Sequence, residues 1–168
     1  MSEEYKWSSS LELRMPQMDA DHAEIFRLFD MLGEIANGHN SSDNFLNISH
    51  RIKEWSAHHF AHEESLMEML EYSQINVHKQ EHAKFIGQIT RFIRLHRIDN
   101  KETVTQFQHV CSKWYCKHIM SMDIELVKFL SACDAANRDA AVAASFHPFT
   151  EGTHNYEDME GSIQEWRG

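Results

Sequence analysis

Residues 52–66 decide the fold of this chain, and they read IKEWSAHHFAHEESL. Ile52, Trp55, His59, Glu63 and Leu66 recur at spacings of three and four residues, which is the period of one face of an α-helix. An imidazole and a carboxylate therefore share the apolar face of an amphipathic helix, one turn apart. Burying a carboxylate without a partner costs several kcal/mol, so the fold must supply this face with a compensating group.

Three other segments show the same helical period, and the 168-residue chain has only 6 Gly and 2 Pro to interrupt them. The four predicted helices span about 19–37, 43–71, 74–96 and 101–133, with Ser42 as the candidate N-cap of the second. The connections between them are short, which favours antiparallel neighbours. We therefore predict an all-α chain folded as an antiparallel up-down four-helix bundle.

Both ends of the chain differ in composition from the predicted bundle. Residues 1–18 are predicted to form an N-terminal arm, with Trp7 and Leu13 as anchors, ahead of a bundle domain at 19–133. In residues 134–168, an Ala-rich stretch is predicted to extend the fourth helix, and a mobile acidic tail follows. Seven acidic residues and two arginines give this C-terminal extension a net charge of −5, half of the chain's −10. Its candidate docking points are Phe146, Phe149 and Trp166.

The composition of the chain excludes some classes of binding partner and indicates a cellular compartment. The net charge of −10 argues against nucleic acid and against an anionic membrane surface as partners. The chain has no run of roughly 20 apolar residues and no apolar stretch after its polar N-terminus, so we expect neither a membrane span nor a signal peptide. Three cysteines without CxxC spacing fit a reducing, cytoplasmic compartment.

The chain is rich in histidine, with 13 copies, and several lie on predicted core faces. His78 and His82 are one turn apart on the third helix, His118 lies on the fourth and His22 on the first. A single buried histidine most often hydrogen-bonds a backbone carbonyl and packs as a small aromatic residue. Five histidines together with Glu63, on the core faces of four helices, are better explained by metal at the bundle centre.

The ligand types indicate which metals suit the site and how many ions it takes. Imidazole and carboxylate without thiolate suit iron, manganese or zinc, and the candidates outnumber the positions of a single ion. Asp123 supplies a second carboxylate, five residues after His118. Five residues rotate a regular α-helix by about 500°, which leaves Asp123 roughly 140° from His118. We therefore predict a π-bulge between them, which would return Asp123 to the face of His118.

These motifs resemble the hemerythrin family, in particular its bacterial domains, over about residues 7–130. The matching pieces are Asp19-x-x-His22, His59-Phe60-x-x-Glu63-Glu64-x-x-Met67, His78-x-x-x-His82-x-x-Phe85, and Trp114-x-x-x-His118-Ile119 followed by Asp123. The order and spacing of the ligand positions make this a specific match.

The resemblance implies a non-haem centre of two iron ions (Fe2+/Fe3+) with a bridging oxo or hydroxo group. Its implied ligands are His22, His59, Glu63, His78, His82, His118 and Asp123. Glu63 and Asp123 would bridge, and the iron held by His22 and His59 would keep an open position for dioxygen. The implied function is reversible dioxygen binding for sensing, storage or transport, with no catalytic residues. The alternatives are a di-iron enzyme acting on peroxide or nitric oxide, and an iron or redox sensor with a signalling partner at the C-terminal tail.

One residue departs from the family pattern. Tyr115 follows Trp114 where the family usually has leucine, and the resemblance places both side chains at the dioxygen pocket. The phenol of Tyr115 could pack in the core with its hydroxyl at the bundle edge. It could instead donate a hydrogen bond to the bound ligand or admit water to the pocket.

The remaining histidines form no recognisable metal-binding or catalytic motif in the sequence. His58 and His62 form an i,i+4 pair away from the core stripe of their helix, and they are predicted to be solvated. A zinc-protease HExxH motif is absent, because His62 is followed by leucine at position 66. A ferritin-like centre needs Glu-x-x-His on two helices, whereas the chain has this sequence once, at Glu151 in the tail.

Overall fold

The computed structural model describes residues 5–38, 45–95 and 100–149, with only the backbone of Leu95. All regular structure in these ranges is helical. The helices are α1 (Pro16–Ala36), α2 (Phe45–Met69), α3 (Ile75–Leu95), α4 (Lys101–His118), α5 (Ile124–Ala132) and α6 (Ala135–Ser145), with a 3-10 turn at Ser9–Leu11 and a π-helical turn at Ile119–Asp123. Not one of these described helices is long and apolar enough to cross a lipid bilayer.

The long helices run alternately up and down, because residues from opposite ends of successive helices meet. The ring of Phe45, at the start of α2, lies 6.3 Å from that of Phe92, near the end of α3. The ring of Phe107, near the start of α4, packs on both, at 5.5 and 4.8 Å. Successive helices are neighbours, and α4 also packs against α1, which closes the bundle. The predicted all-α four-helix bundle is therefore confirmed.

Helix α1 begins at Pro16, three residues before the predicted start at Asp19. Proline suits the first helical position because its φ is already helical and its missing N–H would have no partner there. Asp19 lies in the first turn and accepts a hydrogen bond from the backbone N–H of Leu13 (2.8 Å). The arm is also held by Trp7, whose ring lies 5.7 Å from that of Phe26. The arm thus packs on the bundle through both predicted anchors.

The fourth bundle helix is interrupted by the π-helical turn between α4 and α5. The backbone N–H of Ile124 donates to the carbonyl of Ile119, five residues back, which is the π-helical pattern. The wider turn brings Asp123 to the face of His118, and Asp123 Oδ1 lies 3.1 Å from His118 Nε2. The predicted π-bulge is therefore confirmed.

Helix α6 is a separate helix, whereas the sequence predicted a continuation of the fourth. Cys133 takes an extended conformation after the end of α5, and Asp134 then caps α6. The Asp134 carboxylate accepts hydrogen bonds from the N–H groups of Ala136 and Asn137, at 3.1 and 3.2 Å. Such a cap stabilises a new helix start by about 1 kcal/mol, so the Ala-rich stretch need not continue the old helix. The chain turns back here, and α6 packs on α2.

The segment after α6 lies on α2. The ring of Phe149 stacks on that of Trp55 at 4.3 Å, and the ring of Phe146 lies 4.8 Å from that of His62. These two predicted docking points are confirmed. The third, Trp166, and the predicted N-cap Ser42 lie outside the described residues.

Candidate metal centre

Seven side chains from all four bundle helices meet in one end of the core. They come from the start of α1, the end of α2, the first half of α3 and the π-helical region of the fourth helix, and each is at most 4% exposed. The seven are His22, His59, Glu63, His78, His82, His118 and Asp123. The structure thus brings together all the side chains that the sequence predicted as metal ligands.

Three imidazoles form what we call the three-histidine group: His78, His82 and His118. Nε2 of His118 lies 3.0 Å from Nε2 of His78 and 3.0 Å from Nε2 of His82. Glu63 joins the group, with Oε2 at 3.2 Å from Nε2 of His82. Nitrogen lone pairs that converge in this way, next to a carboxylate, are a typical donor set for a transition-metal ion.

Two imidazoles, His22 and His59, form the two-histidine group, and their Nε2 atoms are 2.9 Å apart. Glu63 Oε1 lies 3.5 Å from His59 Nε2, and Asp123 Oδ2 lies 3.5 Å from His22 Nε2. The other oxygen of each carboxylate reaches the three-histidine group, Asp123 Oδ1 at 3.1 Å from His118. Each carboxylate therefore spans both groups, as a bridge between two cations would.

The buried carboxylates show that the protein alone does not satisfy this site. Among the described residues, no hydrogen bond of good geometry reaches either oxygen of Glu63 or of Asp123, or Nδ1 of His22. Buried oxygens without a partner are rare because they lose their hydration without compensation. A pair of divalent cations would satisfy all four oxygens, so the residues present fit a two-metal centre.

Carboxylates and imidazoles in the site shift each other's protonation. Burial and the charge of Asp123 raise the pKa of Glu63, but the imidazoles of His59, His78 and His82 outweigh them and hold it well below its usual range. Burial lowers the pKa of His78, but Asp123 and Glu63 outweigh burial and raise it to about 10. In the metal-free protein this shift stabilises the fold fully below the ordinary histidine pKa of about 6.5. The contribution is lost as the pH rises through about 10.

Metal uptake at neutral pH is expected to release at least one proton per chain. The pKa of His78, about 10, means that this imidazole holds a proton at pH 7, and it must lose that proton to bind a cation. Metal affinity should therefore rise about tenfold per pH unit for each proton released, and level off above pH ~10. Calorimetric titration with Zn2+ in two buffers of different ionisation enthalpy counts the protons. Uptake at pH 7 without proton release would contradict the raised pKa of His78.

Two further carboxylates orient ligating imidazoles from behind. Glu64 Oε1 lies 2.9 Å from His82 Nδ1, and Asp21 Oδ2 lies 3.4 Å from His59 Nδ1. An Nδ1–H that donates to a carboxylate leaves the Nε2 lone pair directed at the metal position. Neither pairing was visible in the sequence, because each joins residues on different helices. The only signal was that both acids directly neighbour a predicted ligand.

Trp114 and Tyr115, both predicted to line the dioxygen pocket, lie beside different histidine groups of the centre. The Trp114 ring stacks on that of His118 at 4.4 Å, against the three-histidine group. The Tyr115 ring lies 6.4 Å from that of His22 and 6.5 Å from that of His59, beside the two-histidine group. The geometry therefore supports Tyr115 as the side chain nearer to the position that the resemblance left open.

The phenol of Tyr115 is fully buried, so its hydroxyl does not reach the solvent at the bundle edge. Within the described ranges its oxygen has no hydrogen bond of good geometry. Burial raises the pKa of Tyr115 well above its usual value, and the neighbouring Ser56 hydroxyl lowers it only in part. Tyr115 is thus a neutral phenol in the core, with its ring beside the two-histidine group.

His58 and His62 are buried, although their position off the core stripe predicted solvated side chains; each is 5% exposed. The segment after α6 covers both. The backbone N–H of His147 donates to His62 Nε2 (3.1 Å), and His58 Nε2 donates to the carbonyl of His147 (3.0 Å). The prediction was wrong because the period of one helix carries no information about a segment that packs on it from 85 residues away.

A four-helix bundle with two buried imidazole groups bridged by carboxylates defines a class of cation-binding bundle proteins. Within that class, the sequence pattern described as Hemerythrin HHE cation binding domain matches residues 15–130, well over half of the chain. The chain therefore belongs to the hemerythrin family.

Several curated proteins are similar to this chain over most of the matched region. The bacteriohemerythrin of Clostridium acetobutylicum is 24% identical over 127 residues, which cover 73% of this chain and 98% of that protein. The myohemerythrin of Sipunculus nudus is 26% identical over 122 residues, covering 72% of this chain and 89% of that protein. The bacteriohemerythrin of Pseudomonas paraeruginosa is 23% identical over 117 residues, covering 70% of this chain and 75% of that protein. No solved structure matches the chain significantly.

Proposed function

We propose that this protein binds dioxygen reversibly at two iron ions, for sensing, storage or transport. The observation that carries the proposal is that one buried carboxylate, Glu63, belongs to both groups of imidazoles, which fits a bridged pair of ions. Membership of the hemerythrin family supports iron as the metal and dioxygen as the ligand. Bound ferrous ions would supply the electrons that dioxygen takes up.

The two groups would hold ions of different coordination. The three-histidine group offers one iron a full set of imidazoles, whereas the two-histidine group offers one imidazole fewer and leaves room for a small ligand. Glu63 and Asp123 would bridge the ions, together with an oxo or hydroxo group. The complete burial of both carboxylates keeps bulk water from the centre, which favours reversible binding over turnover.

A second function, reduction of peroxide or nitric oxide, is favoured by the buried phenol of Tyr115. Such chemistry needs a proton donor beside the reacting ligand, and this side chain lies beside the two-histidine group. Its raised pKa makes the phenol a hydrogen-bond donor rather than an acid at neutral pH. For that reason we prefer reversible binding as the function.

Two further proposals concern the cellular setting. The three cysteines without CxxC spacing favour a reducing, cytoplasmic compartment. A sensor would pass the state of its iron pair to a signalling partner, for which the acidic sequence of residues 134–168 is the candidate contact.

Repeated oxygenation tests the proposal directly. The iron-loaded chain is reduced, exposed to dioxygen and deoxygenated through several cycles while its visible charge-transfer bands and its iron content are followed. Reversible cycling with two irons per chain supports dioxygen binding. Prompt, irreversible oxidation with turnover of added peroxide or nitric oxide would instead support the enzyme. A chain that takes up a single zinc ion and no iron would contradict both functions.

Replacing Tyr115 is expected to change how long dioxygen stays bound. If the phenol donates a hydrogen bond to a charged ligand, worth about 1.5–3 kcal/mol, Tyr115→Phe should speed dioxygen dissociation by roughly 10- to 100-fold. Tyr115→Leu should add an effect on autoxidation, because it also opens space beside His22. Stopped-flow dissociation and the rate of ferric conversion measure the two effects.

The matched control for this pair is Phe29→Leu. The Phe29 ring packs 5.8 Å from that of Tyr115, so this change alters the same packing and removes no hydroxyl. It should leave the dioxygen dissociation rate close to that of the unmodified protein. If Tyr115→Phe, Tyr115→Leu and Phe29→Leu all keep the dissociation and autoxidation rates of the unmodified protein, Tyr115 has no role in holding bound dioxygen.

A further inference from the structure

Residues Phe146–Phe149, which we call the C-terminal clasp, lie beyond the region that the chain shares with its family, which ends at residue 130. The clasp follows α6 and covers the face of α2 that carries Trp55, His58 and His62. It therefore lies outside the matched region, directly behind the two-histidine group.

A continuous line of hydrogen bonds joins the clasp to a metal-binding imidazole. The backbone N–H of His147 donates to His62 Nε2 (3.1 Å), and His62 Nδ1 lies 3.0 Å from Asp21 Oδ2. The same Asp21 oxygen lies 3.4 Å from Nδ1 of His59. His58 Nε2 donates to the carbonyl of His147 at 3.0 Å, which holds the clasp backbone in place.

The direction of these hydrogen bonds fixes the tautomer of His62. Because Nε2 accepts from the clasp, the ring proton of a neutral His62 must sit on Nδ1, where it donates to Asp21. Without the clasp, the ring is free to adopt the other tautomer, which would turn a nitrogen lone pair toward the carboxylate. Asp21 would then lose the partner that holds it against His59.

We propose that the clasp is a positioning element of the two-histidine group: through His62 it holds Asp21 behind His59, so clasp docking and metal binding at that group stabilise each other. This inference rests on the metal centre proposed above. It predicts selectivity, because the three-histidine group has its own supporting carboxylate, Glu64, which contacts His82 directly. Loss of the clasp should thus loosen one ion and leave the other in place.

Site-selective metal loss in full-length variants tests the proposal. Phe149→Ala removes the stacking on Trp55 that anchors the clasp, and it touches no group of the centre. In the Zn2+-loaded protein, we expect a chelator to remove one ion of the two about tenfold faster than from the unmodified chain, the low end of the effect of losing a supporting contact. The release rate of the second ion should not change.

Three matched variants make the result specific to the clasp. Phe149→Tyr keeps the stacked ring and should restore slow release. His147→Ala removes an exposed ring that lies 6.4 Å from that of His62, but it keeps the backbone N–H and carbonyl that the hydrogen bonds use, so release should stay slow. In a His22→Ala background, which weakens the two-histidine group, Phe149→Ala should have no further effect on the ion that remains.

Hydrogen exchange on the unmodified chain gives a second readout that needs no variant. Coupling between two equilibria is reciprocal, so metal loading should slow exchange of the His147 amide by the factor by which the clasp raises the Zn2+ affinity of the two-histidine group. If the two-histidine group fills last, the exchange rate of this amide should fall only when the second equivalent of Zn2+ is added. Unchanged exchange on loading, or equal acceleration of both ions in Phe149→Ala, would overturn the inference.

The outcomes separate this inference from the proposed function. A chain that binds two ions but does not cycle dioxygen defeats the function and leaves the clasp inference standing on Zn2+ release. A chain that cycles dioxygen and loses its ions equally fast with and without Phe149 keeps the function and defeats the inference. A chain that takes up no metal defeats both.

Discussion

Glu63→Ala is expected to remove both metal ions from the chain rather than one. Its carboxylate reaches both metal-binding groups, with Oε1 toward His59 and Oε2 toward His82. A lost supporting contact already costs 10- to 100-fold in metal affinity, so the loss of a shared ligand should cost more than about 100-fold at each position. Metal content per chain after gel filtration of the loaded protein measures the effect.

Two variants serve as controls for this loss. Glu68→Ala removes an exposed carboxylate from the same helix, one whose contact is with Lys79, and it should leave the full metal content in place. His22→Ala removes a ligand of the two-histidine group alone, and it should leave about one ion per chain bound. A Glu63→Ala chain that retains one tightly held ion would show that the two groups do not share this carboxylate.

Metal removal is expected to lower the melting temperature by roughly 15–30 °C. An ion present at about 1,000 times its dissociation constant stabilises the fold by about 4 kcal/mol, so two ions contribute about 8 kcal/mol. In a chain of this size each kcal/mol shifts the melting temperature by about 2–4 °C. The structure gives the physical reason, because without cations the four carboxylate oxygens of Glu63 and Asp123 are buried without good hydrogen bonds.

Differential scanning calorimetry with and without a chelator measures this shift. The Glu63→Ala chain provides the control, since it should melt at the same temperature with and without metal. It should be no more stable than the metal-free unmodified chain, because without Glu63 the protonated imidazole of His78 is buried with one carboxylate partner fewer. A melting temperature of the unmodified chain that does not depend on metal would contradict a metal-stabilised core.

The spacing of residues along the chain was enough to predict the bundle. A period of three and four residues in four segments, joined by short connections, leaves few alternatives to antiparallel helices. The same period placed His59 and Glu63 on a core face, and the energetic cost of a buried carboxylate then required a partner for it. The angular mismatch between His118 and Asp123 also predicted a π-bulge, since only a wider turn brings residues five apart to one face.

Helical spacing could not predict contacts between segments that are far apart in the sequence. The turn at Cys133–Asp134 redirects an Ala-rich stretch that would propagate a helix equally well in a straight line, so the choice depends on what α6 packs against. Because α6 turns back, the clasp covers His58 and His62, which the helical period of α2 had left on a solvent face. The role of Asp21 behind His59 was hidden for the same reason, since its partner lies on another helix.

Local spacing thus established which side chains lie on the core stripe of each of the four helices, because the geometry of a helix turns sequence distance directly into angle. The tertiary structure established which of these side chains meet, how Glu63 and Asp123 span two groups, and that the C-terminal segment closes behind one of them. Those features depend on the packing of segments far apart in the chain, and packing energies act between surfaces that periodicity does not describe.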